Sequence, residues 1–265
     1  MILPGSYANG FAPRDGMPAY PSLWRGCIGV WAPCLGPTGL TLRDWSGRGN
    51  HGTLTNMDPS VRWGPSGGKY ALGFDGSNDS VDISRSIVPT GSASKTVCLW
   101  FKSDTTIATR QWLFYAGSET AYGRFALEIE SSKLNFNYFS QSAVHSTTLV
   151  ASRWYHAAVA YTAASTSVTV YLDGVPQTFV ISGTVALNTG TTTTTRLGVS
   201  GNGTSPFNGT ISELQIYDRV LNPNEVLKLA SRGGIMHEMA PRRRSSLQVA
   251  ASFNRRRRLL VGAGL

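Results

Sequence analysis

The sequence predicts an all-β protein, a two-sheet antiparallel sandwich with one short C-terminal helix, and three observations carry that prediction. Charged residues make up only 15% of the chain while glycine reaches 29 positions, a composition suited to many short strands joined by tight turns. From Thr96 onward, runs rich in Val, Ile, Phe, Tyr and Thr recur at short intervals, and such residues fit a pleated, half-buried surface. Within these runs Val168, Val170 and Leu172 alternate with Thr169 and Tyr171, the period of two that buries one face of a strand. The 265 residues show no internal repeat and suffice for one large sandwich core. The expected organisation is an extended N-terminal arm over 1–25, a domain over 26–232 and a tail over 233–265.

The elements follow in order. Residues 1–25 are punctuated by proline, which fixes φ and removes a donor, so this arm is expected to lie extended across a surface. Gly26 to Trp31 is the first strand, and Gly36-Pro37-Thr38-Gly39 turns the chain into the segment Leu42 to Leu54, LRDWSGRGNHGTL. Glycines and short polar side chains there disfavour a helix, so an ordered loop is expected. Such a loop is specified this closely where its carbonyls and short oxygen-bearing side chains converge, on neighbouring backbone or on a hard cation. Tyr70 to Phe74 and Ser80 to Ile83 are strands around FDGSNDS, whose Asp-Gly and Asn-Asp pairs are turn chemistry. The runs TVCLWFK, QWLFYAG, RFALEIE, KLNFNYF, STTLV, WYHAAVAY, SVTVYL and VPQTFVI supply the main strands, and Asp173-Gly174 marks a two-residue type I′ hairpin. Asn188 to Thr195 reads as an exposed loop or edge. Arg196 to Ser200 and Thr210 to Tyr217 return the chain to the sheets. Asn222 as cap, Pro223 at the first helical position, Glu225 in the first turn and Gly233 beyond the end delimit the helix.

The net charge of +9 is not spread evenly. Arg232 to Leu265 carries eight arginines and a single acid, Glu238, so the basicity belongs to the tail and does not indicate a nucleic-acid-binding face on the sandwich. Cys27, Cys34 and Cys98 form neither a disulfide framework nor a zinc pattern and are expected to be buried thiols. The opening MILPGSYANGFAPRDG has no basic n-region and no uninterrupted apolar run, so it reads as neither signal peptide nor membrane span. Synthesis in a cytoplasm is expected.

DWSGRGNHGTL, YALGFDGSNDSV at 70–81, WYHAAVAY at 154–161, VTVYLDGV at 168–175 and GTISELQIYDRVLNPNEV at 209–226, in that order, resemble the laminin-G-like (concanavalin A-like) jelly-roll family over about residues 26 to 230. The resemblance implies two antiparallel sheets packed face to face, often a structural calcium, and binding of glycans or proteins in place of catalysis. The stretch YPSLWRGCIGVWAPCLGPTGLTLRDWSG is also similar to openings of such domains in bacteriophage proteins, which implies a virion component made in a host cytoplasm.

Several site expectations accompany the resemblance. Asp44, Asn50 and Glu213 are the calcium ligands it implies; calcium takes six to eight oxygens, so backbone carbonyls would complete the shell. The family's second acid, just before Glu213, is here Ser212, a departure from the pattern. Asp75, Asn78 and Asp79 are second candidates. Tyr122 and Phe139 are candidate glycan platforms, since both fall near strand ends among polar residues. Concanavalin A-like glycoside hydrolases resemble one another in an E-x-D-x-x-E strand that aligns two carboxylates. This chain lacks that spacing, Glu128 and Glu130 read as a solvated outer face, and no enzymatic activity is expected.

The tail APRRRSSLQVAASFNRRRRLLVGAGL carries two arginine blocks, Arg242, Arg243 and Arg244, then Arg255, Arg256, Arg257 and Arg258. Between them Leu247, Val249, Ala251 and Phe253 alternate with Ser246, Gln248, Ala250 and Ser252. A disordered basic linker would explain the arginines but not the alternation. The tail, with the N-terminal arm, is therefore expected to anchor the chain to proteins of a larger assembly, as an oligomer or part of a complex, with the sandwich outward toward cell-surface glycans. Nucleic acid is expected to be met only through the arginines, and no membrane is involved.

Overall fold

A computed structural model of the chain describes residues 21–66, 69–83, 87–104, 108–138, 142–181, 186–191 and 195–231. The first strands are β1 (Cys27–Trp31), β2 (Thr41–Leu42), β3 (Gly52–Thr55), β4 (Trp63–Ser66), β5 (Lys69–Asp75) and β6 (Ser80–Ile83). The long central ones are β7 (Lys95–Ser103), β8 (Gln111–Gly117), β9 (Arg124–Glu130), β10 (Lys133–Asn137), β11 (Ser142–Thr148) and β12 (Trp154–Thr162). β13 (Ser167–Leu172), β14 (Val175–Pro176), β15 (Phe179–Ile181), β16 (Thr195–Leu197) and β17 (Asn208–Tyr217) complete them. Two single-turn helices, α1 (Pro21–Trp24) and α2 (Pro59–Arg62), precede the main helix α3 (Pro223–Ser231).

The strands form two antiparallel sheets, as a jelly-roll sandwich requires. One runs β14–β13–β12–β7–β17–β5–β4, and its eighth strand, β1, shares an edge of β17 with β5. The other has nine strands in the order β15–β11–β10–β9–β8–β16–β6–β3–β2. Between the sheets lies the main core, in which Trp31, Phe74, Phe101, Phe114, Phe125, Phe136 and Ile216 are buried. Burying a side chain of this size is worth about 1.5–3 kcal/mol, so this layer holds the sheets together.

A second apolar layer covers the outer face of the eight-stranded sheet. Leu23, Trp24, Cys27, Cys98, Tyr171, Tyr217, Val226 and Leu229 meet there, beneath α1 and α3. The packed domain therefore begins ahead of Gly26, the boundary expected from composition, because Leu23 and Trp24 are part of its core. All three cysteines are buried, as expected. Arg219 joins the pieces of this layer: its guanidinium pairs with Glu225 at 2.7 Å and 2.9 Å and donates to the carbonyls of Ser22 and Arg25, each at 2.7 Å. Glu225 and Asn222 cap α3 reciprocally, each side chain accepting from the other's backbone N–H at 3.0 Å, a capping box built on the cap expected at Asn222. Burial raises the Glu225 pKa, but Arg219 and the Asn222 N–H outweigh it and hold the carboxyl below its usual range.

The two-residue hairpin is present: Leu172 pairs with Val175, and Asp173 and Gly174 have φ of +51° and +80°. A Cβ at Gly174 would lie 2.9 Å from Leu227 and 3.0 Å from Ala230, so glycine is needed for the turn and for the approach of α3. Two expectations differ. Thr189 and Thr195, placed in an exposed tract by composition, are buried. Thr189 Oγ1 is held because it accepts from the buried Lys95 ammonium at 2.8 Å. The strand expected at 146–150 begins earlier, as β11, and Val150 is exposed.

Candidate functional site

The opening loop forms a corner centred on one carboxylate. Asp44 Oδ1 accepts from the backbone N–H groups of Val30 (3.1 Å) and Ser46 (2.8 Å), and Oδ2 accepts from Asn50 N–H (2.9 Å) and Ser46 Oγ (2.9 Å). Asp44 N–H in turn donates to His51 Nδ1 at 3.0 Å, and Trp31 Nε1 donates to the Asn50 carbonyl at 2.9 Å. An ionised carboxylate offers about four acceptor sites, and protein donors take all four here. Glu213 is fully buried on β17, where it accepts from Cys34 Sγ at 3.2 Å and Gln215 Nε2 at 3.3 Å. Among the described residues no three His, Cys, Asp or Glu side chains are gathered to hold a metal ion. Asp44 and Glu213 therefore do not fit a calcium shell: their carboxylate oxygens already serve backbone, hydroxyl, thiol and amide donors, and Asn50 enters the corner through its backbone N–H and carbonyl.

The second acidic cluster likewise has a partner within the chain. Arg62 bonds Asp75 Oδ2 at 2.8 Å and Asp79 Oδ2 at 2.7 Å, and Asp79 Oδ2 also accepts Asp75 N–H. A guanidinium occupies the place a cation would take. Asn78 contributes its carbonyl to Asn56 Nδ2 at 3.2 Å.

The chemistry that the fold does gather lies on the outer face of the nine-stranded sheet. One row of directly opposed residues runs Asn137, Ala126, Tyr115, Arg196, Asp82, Thr53, and a second runs Asn135, Glu128, Trp112. Arg124 lies over both aromatic rings, 5.1 Å from Trp112 and 5.3 Å from Tyr115, and Arg110 is 6.0 Å from the Trp112 ring. A polar chain threads these groups. Arg124 Nη1 donates to Asn137 Oδ1 (3.1 Å) and Asn137 Nδ2 to Glu128 Oε1 (3.1 Å). Arg110 pairs with both Glu128 (3.3 Å) and Glu130 (2.8 Å). Glu119 pairs with Arg124 and accepts the Tyr115 hydroxyl at 2.5 Å. Arg196 pairs with Asp82 at 3.0 Å and donates to the Gly201 carbonyl at 2.9 Å. Burial and the Glu119 charge push the Tyr115 hydroxyl up to about 12, and burial raises Glu128 against its Asn137 and Arg110 partners.

These side chains are unusually enclosed for an outward face: Glu128 is 0% exposed, Trp112 and Asn135 3%, and Arg124 8%. Around them Arg110, Glu119 and Glu130 keep 44%, 45% and 38% of their side-chain surface. The result is a polar and aromatic floor inside a charged, solvent-reaching rim. Asn135 Oδ1 is buried in it with no hydrogen-bond partner among the described residues, and a buried acceptor left unpaired costs about 1–3 kcal/mol.

Of the expected glycan platforms, Tyr122 has φ +59°, stacks on Tyr138 at 6.3 Å and packs against the core. Phe139 and the tail residues Arg242, Arg243, Arg244, Leu247, Val249, Arg255, Arg256, Arg257 and Arg258 lie outside the described residues. Glu128 corrects the expectation of a solvated pair, since only Glu130 reaches solvent; Arg110 and Asn137 enclose Glu128. Sequence reasoning missed Trp112, Tyr115, Arg124 and Asn137 as a set. The reason is a β-bulge: Trp112 opposes Glu128 and Phe114 opposes Leu127, leaving Leu113 as the extra residue. Trp112 and Tyr115, three apart, thereby share a face that strict alternation would deny them. The legible signal was R-x-A-x-E in β9 beside N-x-N in β10.

A family model described as the concanavalin A-like lectin/glucanases superfamily matches residues 75–227. No curated protein matches the chain. Among solved structures, domain 4 of AbnA, a GH43 extracellular arabinanase from Geobacillus stearothermophilus solved in complex with arabinotriose, is similar at TM-score 0.60 and 21% identity. The match covers 77% of this chain and 98% of that one. Trypanosoma rangeli sialidase in complex with the inhibitor DANA gives 0.54 at 16% identity, over 77% of this chain and 32% of the sialidase. The binding domain of Paraclostridial Mosquitocidal Protein 1 gives 0.59 at 12%, over 78% and 52%. The chain thus spans nearly all of the arabinanase domain but about a third of the sialidase. At these identities the likeness shows the fold.

Proposed function

The chain belongs to the concanavalin A-like lectin/glucanases superfamily, and from that premise we propose that it is a non-catalytic glycan-binding module carried on a larger assembly. The observation that carries the binding reading is the enclosed polar and aromatic floor of Trp112, Tyr115, Arg124, Asn135 and Asn137, with its rim of Arg110, Glu119 and Glu130. Sugars are bound by a few well-placed hydrogen-bonding groups, and this face offers them at its rim, with the Trp112 and Tyr115 rings packed beneath Arg124. A neighbour of matching extent was solved with arabinotriose, which supports the same ligand class. Against hydrolysis stands the state of the carboxylates. Glu128 and Glu130 share one guanidinium, and Glu128 is closed off from solvent, so neither is poised to protonate a glycosidic oxygen while the other attacks.

Binding of the full chain to an oligosaccharide array, followed by calorimetry on a hit, tests the site. Arg110→Ala, at the exposed rim, and Asn137→Ala, in the floor, are each expected to weaken binding at least tenfold while the melting curve stays cooperative. Binding that neither variant changes would move the site elsewhere.

For the assembly, a phage particle is the proposed carrier, supported by the arginine blocks and the alternating segment of the tail. A segment that alternates apolar and polar residues suits addition to a partner's sheet edge, with the flanking arginines meeting acidic groups. A chain ending at Ser231 is expected to fold and to bind glycan as the full chain does, yet to be absent from purified particles. Normal incorporation of that truncated chain would refute the anchor.

A further inference from the structure

We infer that the outer face of the nine-stranded sheet selects neutral glycans and discriminates against acidic ones; the inference rests on the reading of this face as the glycan site. The ground is its charge arrangement. Each of its guanidiniums is already committed to a carboxylate of the same chain: Arg110 to Glu128 and Glu130, Arg124 to Glu119, Arg196 to Asp82. With Lys133, which stands opposite Glu130 in the pairing of β9 and β10 and shares that face, four cations meet four acids. The face therefore presents no surplus positive charge to an incoming anion.

A sugar carboxylate or sulfate could reach an arginine only by displacing its partner. At Arg110 that would strand Glu128, which is fully buried, and at Arg196 it would take the ion-pair partner from the half-buried Asp82, which among the described residues also accepts the Thr55 hydroxyl at 2.9 Å. Removing one partner of a buried charge pair is strongly unfavourable because the other charge stays desolvated. The half-exposed carboxylates of Glu119 and Glu130 would in addition repel the anion at the rim. A neutral hydroxyl meets none of these costs, since it donates and accepts at once. It can give its proton to Glu119 or Glu130, which reach solvent, and receive one from an arginine N–H without breaking an ion pair.

The test uses the full chain and paired probes that differ by one acidic group: N-acetyllactosamine against its sialylated form, and a xylose oligomer against the same oligomer bearing glucuronic acid. Arabinotriose is the unpaired neutral probe. The expected result is that at least one neutral probe binds, that an acidic partner binds at least tenfold more weakly, and that neutral binding is unchanged between 50 and 500 mM NaCl. Glu119→Gln with Glu130→Gln, both at the exposed rim, is expected to narrow the gap between a pair at least threefold. Tighter binding of an acidic probe, lost in Arg110→Ala, would overturn the neutral class while leaving the face as the site. Binding of neutral probes that Arg110→Ala and Asn137→Ala both leave intact would overturn the site itself, and with it this inference, as would no binding of any probe.

Discussion

Replacing Asp44 with alanine is expected to lower the unfolding free energy by about 4 kcal/mol, while EDTA leaves the melting temperature unchanged. The substitution removes the acceptor of three backbone N–H groups, those of Val30, Ser46 and Asn50, in a site that is nearly closed to water. A buried donor left without a partner costs about 1–3 kcal/mol, so three of them set the magnitude. Asp44→Asn keeps one carbonyl oxygen and is expected to cost about half as much. The chelator arm separates this corner from a metal site. A metal that binds only the folded state, at 100 times its Kd, adds about 2.7 kcal/mol, and its removal would show as a fall of several degrees. Urea unfolding of the three proteins, with EDTA and with calcium chloride, checks both statements. A chelator-dependent midpoint would return Asp44, Asn50 and Glu213 to a shared calcium, and an Asp44→Ala variant as stable as the parent would empty the corner of its structural role.

Acidification is the second large effect, and it acts through His156. This side chain is fully buried on β12 beneath α3, edge-on to Trp100 at 5.4 Å, and neither ring nitrogen has a hydrogen-bond partner among the described residues. The Trp100 indole donates to the Leu229 carbonyl of α3 at 3.3 Å, so the pair forms part of the helix seat. Asp173, across from His156 on the neighbouring hairpin, spends its carboxylate on the His156 backbone N–H (2.9 Å) and on Arg153 (3.1 Å). Burial drives the imidazole pKa from 6.5 down to about 3. The unfolded chain then binds a proton that the folded chain refuses between those values. Stability is therefore lost as pH falls from about 6.5 toward 3, at about 1 kcal/mol per pH unit for one proton. Other groups titrate in the same range, so the informative quantity is the difference between the parent and His156→Phe, which cannot take up the proton. That difference is expected to grow with the stated slope between pH 6 and pH 4 in urea titrations. Parallel curves would show that His156 is not the group that senses acid.

The readability of this chain from its residues divides along physical lines. Patterns that depend on near neighbours were legible: the alternation of β13, the type I′ turn at Asp173-Gly174, the helix cap at Asn222, and the ordered corner at Asp44. Each is decided within a few residues by backbone sterics and local hydrogen bonding. The ordered set of blocks likewise placed the chain in its superfamily before any coordinates. Asp44 and Glu213 were expected as calcium ligands and are seen with protein donors, and a carboxylate that collects backbone donors and one that collects calcium look alike in sequence.

What only the tertiary structure decided turns on register. An extra residue in β8 puts Trp112 and Tyr115 on one face, and another irregularity between Ile211 and Leu214 sends both of those inward. A one-residue offset exchanges inside for outside, since side chains alternate at a period of two. Whether Glu128 is solvated or enclosed then depends on Arg110, Asn135 and Asn137, contributed by different segments of the chain. The sequence by itself determined the class of fold, its turns and its caps, all set by local preference. Pairing across the sheet determined which side chains share the outer face, because that choice is made between strands and is written in neither one alone.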